Sequence, residues 1–438
     1  MKKIFTKAIM FAVALAMPFG FTSCSDDDDP VVEGTVVPAS ELSAVATTYV
    51  NDVINPTYSA LQANAKTLKE ACDKAYANAK AGNLSDADLV AAAEAFKNAR
   101  REWERSEAFL YGAAENNEID PHIDSWPLDK DQLVDALNDA TLIAGINGSN
   151  PAQFIYSENK HFDSVIGFHG LEFVLFRDGA TRTAAMLNAY ETAEGMTSVK
   201  GIDELAFASA VAGDIYNMTT LLQYGWNGDA TLGSWLTSNC NWVIEGLKEA
   251  EESAGALSSA GIGYGEFLLN AGNTNGWFQT WQETLENVFK GGCSNICQEV
   301  YTQKLGQAYR VATGNPESAD ESIDYIESPY SKRSFIDYQD NIYSIKNTLY
   351  GTRDVNATTP VSNSLMNIMK DYKYDGYSAL NTALDEAIAA LESAKKSGLA
   401  FVDDPKNAQV KTCIDKINTL DDELNKAGAW FRALKVSK

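Results

Sequence analysis

The stretch Gly167-Phe168-His169-Gly170-Leu171-Glu172-Phe173-Val174-Leu175-Phe176 sets an imidazole and a carboxylate three residues apart in an otherwise apolar run. On a helix those two side chains share a face, one turn apart. Burying them without partners would cost about 1–3 kcal/mol for a polar group and more for a charge. A metal, a ligand or other side chains must therefore meet them. One helix can supply two metal ligands in this way, with one or two more needed from elsewhere. Glu107, Asp124, Glu327 and Asp340 are acids available for that role. The sequence fixes no cofactor, and iron and zinc are the candidates. The same pair also suits a general base oriented by its neighbour, with His169 and Glu172 as catalytic residues. A third reading is a buried His–Glu hydrogen bond that locks a core helix.

Three other clusters combine polar and aromatic residues. Arg100, Trp103, Glu104, Glu107 and Tyr111 fall on one helical face, with Arg100 and Glu104 at i, i+4. Such a stripe is either a solvated surface, where the pair is worth only about 0.2–0.5 kcal/mol, or a half-buried face turned towards a cleft. The loop Ile119-Asp120-Pro121-His122-Ile123-Asp124-Ser125-Trp126-Pro127 is stiffened by two prolines and anchored by Trp126. It can hold Asp124 at a site wall or simply connect helices, with Asp129 or Asp131 capping the next one. The run from Glu327 to Asn341 reads as a helix start, with Ser328 or Ser331 as N-cap and Asp337, Asn341 and Ser344 following at helical spacing. Helix starts attract anions, although a capped helix with a polar outer face has the same pattern. The ligand-binding candidates are thus Arg100, Glu107, Asp124, Trp126, Glu327, Ser328, Ser331, Asp340 and Asn341.

Several chemistries lack their residues. His-Glu occurs nowhere as a dipeptide, so the zinc-protease signature is absent, and there is no nucleophile elbow, P-loop or dinucleotide fingerprint. His122 and His161, the other two histidines, read as exposed loop or helix residues.

The elements that must position these residues are helical throughout. Helices are expected over Glu41–Lys80 (kinked at Asn55-Pro56), Asp86–Tyr111, Ser164–Phe176, Ile202–Tyr224, Leu232–Glu252, Gly276–Thr313, Ser331–Tyr350, Ser362–Met369, Gly376–Ser397 and Pro405–Val436. Asn116–Leu128 reads as loop. Tyr264–Leu269 could be strand, but it stands alone. The fold class is therefore all-α, two helical-bundle domains with the site at their interface. Leu110-Tyr111-Gly112 and Leu349-Tyr350-Gly351 echo each other 239 residues apart, which makes an internal duplication plausible.

The start of the chain reads as an address. Lys2, Lys3 and Lys7 precede an apolar stretch over Ala8–Phe19 that is too short to span a bilayer. Residues 1–23 form a signal peptide, and Cys24 occupies the position of a lipidation site. Residues 24–37 make an acidic tether through Asp26–Asp29. Bundle domains are expected over 38–227 and 228–438, divided at Asn227-Gly228. Loss of the leader removes three lysines and no acid, leaving 32 basic against 60 acidic side chains, a formal charge of −28. That surface repels nucleic acid and suits cations. Cys72, Cys240, Cys293, Cys297 and Cys413 are an odd set without zinc spacing and are expected to be buried apolar residues.

Gly167-x-His169-x-x-Glu172 resembles the signature of imelysin-like proteins, surface or periplasmic bacterial proteins of the insulin-cleaving membrane-protease type. Trp103-Glu104-x-Ser106-Glu107-x-Phe109, Ile123-Asp124-x-Trp126-Pro127, Glu327-Ser328-x-Tyr330-Ser331 and Asp340-Asn341-Ile342 are similar to other segments of that family. The resemblance implies a two-domain helical bundle with a polar site between the domains. It also implies a link to iron uptake and a metallopeptidase label, with His169 and Glu172 as signature pair. The acidic tether resembles the export tag of surface lipoproteins in Bacteroidetes-type bacteria. The expected protein is an outer-membrane, cell-surface lipoprotein held through lipid on Cys24, serving iron or haem acquisition. Iron, haem and peptide are the candidate ligands. A metallopeptidase and a non-catalytic scaffold are the alternatives.

Overall fold

The computed structural model describes residues 36–162, 164–188, 199–249, 262–274 and 276–437. The expected signal peptide, Cys24 and the acidic run lie outside the described residues, as does the end of the helix expected over Leu232–Glu252. The described chain is all-α. Its strands are two short pairs, Val36–Pro38 parallel to Lys435–Ser437 and Phe176–Arg177 antiparallel to Ala180–Thr181.

The long helices are α1 (Ala39–Thr48), α2 (Asn55–Lys80), α3 (Asp86–Glu104), α4 (Gly167–Leu175), α5 (Gly201–Asn227), α6 (Trp281–Asn287), α7 (Ser334–Tyr350), α8 (Tyr377–Lys396) and α9 (Ala408–Ala433). Helices α2, α3, α4 and α5 pack on one another. A second group is built from α6 and its continuation with α7, α8 and α9. The groups meet where α3 and the 3₁₀ turn Glu107–Phe109 face α7 and the run after α6.

Local chemistry explains the boundaries. Ser85 caps α3 in a capping box with Asp88, and Asp129 caps Lys130–Asn138. Gly112 and Gly351, after the two Leu-Tyr pairs, both have positive φ, 77° and 70°. The break at Pro56 is not a sharp kink. The helix runs on through a π-helical stretch, Tyr49–Ile54, in which Asn55 N–H bonds back five residues to Val50. The wider turn absorbs the hydrogen bond that proline cannot make. The expected strand at Tyr264–Leu269 is instead the helix Tyr264–Leu268. A lone strand leaves its backbone groups unpaired, whereas a helical turn pairs them locally. The last helix stops at Ala433, because Leu434 turns extended and the chain pairs with Val36–Pro38. The stretch Asn116–Leu128 holds one more helical turn, Ile119–Ile123. All five cysteines among the described residues are free and buried, as their spacing indicated.

Candidate functional site

The serines before α7 are not N-caps. The helix begins at Ser334, and no side chain caps it. Ser328, in a left-handed conformation (φ 53°), turns its hydroxyl to Asp337 Oδ2 at 2.5 Å. Ser331 donates both its N–H (2.7 Å) and its O–H (2.6 Å) to Glu172 Oε1. Ser334 O–H donates to the Glu327 carbonyl at 2.6 Å. Ser328 and Ser334 tie the lead-in to α7 itself, and Ser331 ties it to α4 in the other group of helices.

His169 and Glu172 lie on α4, 3% and 1% exposed. Gly167 opens that helix at φ 74°, and a Cβ there would come within 2.2 Å of the Ile123 carbonyl oxygen. Only glycine allows this approach, which brings the Asp124 loop beside His169. The ring then sits between carboxylates. Nε2 is 3.1 Å from Asp124 Oδ1 and 3.9 Å from Glu327 Oε1, and Nδ1 is 3.7 Å from Glu172 Oε2. Burial opposes the charged ring, but the hydrogen bond to Asp124 and the Glu172 carboxylate facing Nδ1 outweigh it and raise the imidazole to about 9. Glu172 Oε2 has no hydrogen-bond partner.

The hub is Arg100 on α3, without solvent contact. Its guanidinium bonds Asp124 and Glu327, lies 2.5 Å from Glu104 Oε1, and approaches Asp337 at 4.0 Å. Its Cζ is 5.3 Å from the Phe168 ring centroid. Arg100–Glu104, readable as a surface stripe from sequence, is a fully buried pair. Trp103 Nε1–H donates to Asp124 Oδ2 at 2.7 Å, and Asn341 Nδ2–H donates to Glu104 Oε2 at 2.5 Å. Burial acts against the Asp124 charge, yet Arg100 and His169 hold its carboxyl below the usual range. Burial pushes Glu104, Glu107 and Asp337 up, only partly opposed by nearby cations.

Lys304 is the second buried cation, 3.4 Å from Glu107, 3.2 Å from Glu327 and 3.7 Å from Glu299. It ends a π-helical stretch, Glu299–Lys304. On an α-helix residues five apart face different ways, and the wider π turn brings Glu299 and Lys304 to one side. That displacement hides Lys304 from α-helical periodicity. Glu299 is 37% exposed and marks the mouth of the network. The Trp126 and Tyr325 rings pack there with centroids 4.2 Å apart and planes tilted by 44°, and Lys304 Nζ lies 5.9 Å from the Trp126 ring centroid. Asp120, also half-buried, is raised to about 7 by burial and then by the charges of Asp124 and Glu299.

The structure thus gathers Arg100, Glu107, Asp124, His169, Glu172, Glu327, Ser328, Ser331 and Asn341 into one network, with Trp126 at its mouth. Asp340 stands apart: it pairs with Arg105 at 2.7 Å. His122 is not an exposed residue. Its Nε2 is 2.6 Å from buried Asp214, and its side chain is 15% exposed. His161 is exposed. Glu104, Asp337 and Lys304 belong to the network although Lys304 gave no sequence signal.

Two sets of potential metal ligands occur here among the described residues, Asp124–His169–Glu327 and Glu104–Glu107–Asp124, each with its donor atoms within 4.8 Å of one another. A nitrogen with two carboxylates suits zinc or iron. The space is nevertheless spoken for. Arg100 bonds two members of the first set, and its Nη2 lies 3.5 Å from His169 Nε2. As arranged, these residues do not fit a resident metal.

Comparison with known proteins gives consistent matches. The profile of the imelysin family matches residues 54–426. Iron-regulated protein A of Synechococcus elongatus is 30% identical over 128 residues, 29% of this chain and 30% of that protein, so the match spans less than a third of the relative's length. A crystal structure from Parabacteroides distasonis, described as an iron-regulated protein A precursor, has a TM-score of 0.70 at 24% identity, covering 91% of this chain and 97% of that one. An imelysin-like protein from Psychrobacter arcticum has a TM-score of 0.55 at 14% identity, covering 92% and 100%. Both structural likenesses are likenesses of fold.

Proposed function

The chain belongs to the imelysin family, and on that premise we propose that it is a non-catalytic binding protein of iron acquisition. In this reading it is an outer-membrane lipoprotein held at the cell surface through lipid on Cys24. The name of the Synechococcus elongatus relative supports the link to iron. The observation that carries the non-catalytic reading is the closure of the His169–Glu172 pair: both side chains are buried, with His169 held at Asp124 and one Glu172 oxygen held by Ser331. A peptidase needs its base open to a peptide, and both side chains of this pair are closed off from solvent. The ligand is met instead at the mouth, where Glu299, Asp120 and the Trp126–Tyr325 pair combine negative charge with aromatic surface. That combination suits an iron ion or a flat iron chelate such as haem.

The soluble mature chain, with Cys24→Ser, is titrated with haemin by absorbance and with iron salts by metal analysis after desalting. Saturable binding of one of them is expected, weakened about tenfold (1.4 kcal/mol) or more by Trp126→Ala or Glu299→Ala at unchanged melting temperature. Absence of both, or peptide hydrolysis abolished by Glu172→Gln in a folded protein, overturns the reading.

A further inference from the structure

The family's peptidase label puts a metal in view, and the fold supplies a set of donors for one that is already filled. Asp124, His169 and Glu327 come from the loop after Ile119–Ile123, from α4 and from the lead-in to α7, and their donor atoms lie within 4.8 Å of one another. We infer that Arg100 is the permanent cation of this set, standing where a metal ligated by Asp124, His169 and Glu327 would stand, so that a metal enters only if the guanidinium is removed.

The argument is one of occupancy and charge. The guanidinium bonds Asp124 and Glu327, the two carboxylates any such metal would need, and lies 3.5 Å from the imidazole nitrogen between them. It cannot swing aside into water, because its side chain has no solvent contact and its Cζ packs 5.3 Å from the Phe168 ring. Trp103 and Asn341 fix Asp124 and Glu104, which frame it. A divalent ion placed beside it would meet a fixed positive charge in a poorly screened interior. Lys304, 3.2 Å from Glu327, adds a second. Removing the guanidinium alone would leave Asp124, Glu104 and Glu327 in excess of their cations around the imidazole nitrogen. That is the donor set and charge deficit that draw a divalent metal. Arginine suits the resident role because it stays protonated at any physiological pH and presents a planar fork of donors to several carboxylates at once.

The inference uses the proposed function only in so far as the family label raises the question of a metal, and the two can fail separately. Cobalt(II) is the probe, since its visible absorption reports inner-sphere nitrogen and oxygen ligands. Wild type is expected to give no His169-dependent cobalt spectrum. Arg100→Ala, checked for folding by circular dichroism, is expected to bind one cobalt at least about tenfold tighter than wild type. Adding His169→Ala to it removes the gain. Arg100→Gln, which keeps more of the volume and two donors, serves if the alanine variant does not fold. Wild type that binds cobalt stoichiometrically and loses it on His169→Ala overturns the inference. So does a folded Arg100 variant that gains nothing. Iron or haem bound at the mouth of wild type without any effect of His169→Ala leaves the inference standing, and failure of that binding counts against the proposed function alone.

Discussion

A guanidinium without solvent contact must have its charge met where it sits, and Arg100 draws carboxylates from both groups of helices to do so. Breaking a buried pair by deleting one partner typically costs about 3–5 kcal/mol, because the other charge is left uncompensated. His169 carries the clearest pH signature. Its folded pKa of about 9 lies above the unfolded value of 6.5. The stabilisation it brings is therefore complete below pH 6.5 and lost as pH rises through 9. The size is of order 3 kcal/mol, shared with the depressed Asp124 since the two shifts reflect one interaction. Glu104, Glu107 and Asp337 are raised as well, so the folded protein also holds their protons more tightly, and their effect has the same sign. Urea denaturation should show unfolding free energy falling between pH 6.5 and 9. His169→Asn should flatten that segment, and an unchanged slope in the variant would contradict the charged ring. The His169–Glu172 pair was readable from sequence because two ionisable groups interrupt an apolar helix at i, i+3. The partners of Ser328 and Ser331 were not readable. A serine before a helix looks the same whether it caps the backbone of that helix or reaches a side-chain carboxylate, on the same helix for Ser328 and on α4 for Ser331.

The helices aim the side chains, and they depart from regular α geometry near the network. The π stretch Glu299–Lys304 carries two of its charges, and Val288–Ser294 is π-helical where it packs on Glu107–Phe109. There Gly292 lies so close that a Cβ would reach 2.2 Å from the Ala108 carbonyl oxygen. Each π turn shifts the phase of all later residues, so a reading at 3.6 residues per turn places Lys304 on the wrong face. That is why the helices were legible in the sequence while the second cation was not. At the start of α4, Gly167 combines positive φ with contact against the Ile123 carbonyl, whereas Gly82 has positive φ (72°) and open space around it. Both alanine substitutions incur the left-handed penalty of about 1–3 kcal/mol, but only Gly167→Ala adds a backbone clash. Thermal unfolding should thus show Gly167→Ala several degrees below Gly82→Ala. Equal melting temperatures would mean that the approach of α4 to the Asp124 loop is not held by this contact.

At the scale of the molecule, the first and last described residues meet in a parallel strand pair, and the Arg100 network lies where the two helical groups face each other. The all-α class was legible because helical periodicity and stop signals are local. The convergence of Arg100, Asp124, His169 and Glu327, which come from four separate segments, is a tertiary fact that no local pattern carries. The acid excess is global, −25 over the whole sequence, yet inside the network it is answered by Arg100, Lys304 and the His169 ring. The account therefore separates a filled interior from an acidic, aromatic mouth that faces solvent. Anomalous diffraction from crystals soaked in an iron salt tests that separation most directly. The account predicts an iron peak beside Glu299 at the mouth, with the Arg100 guanidinium still between Asp124 and Glu327. An iron peak between Asp124, His169 and Glu327, with Arg100 displaced, would contradict it.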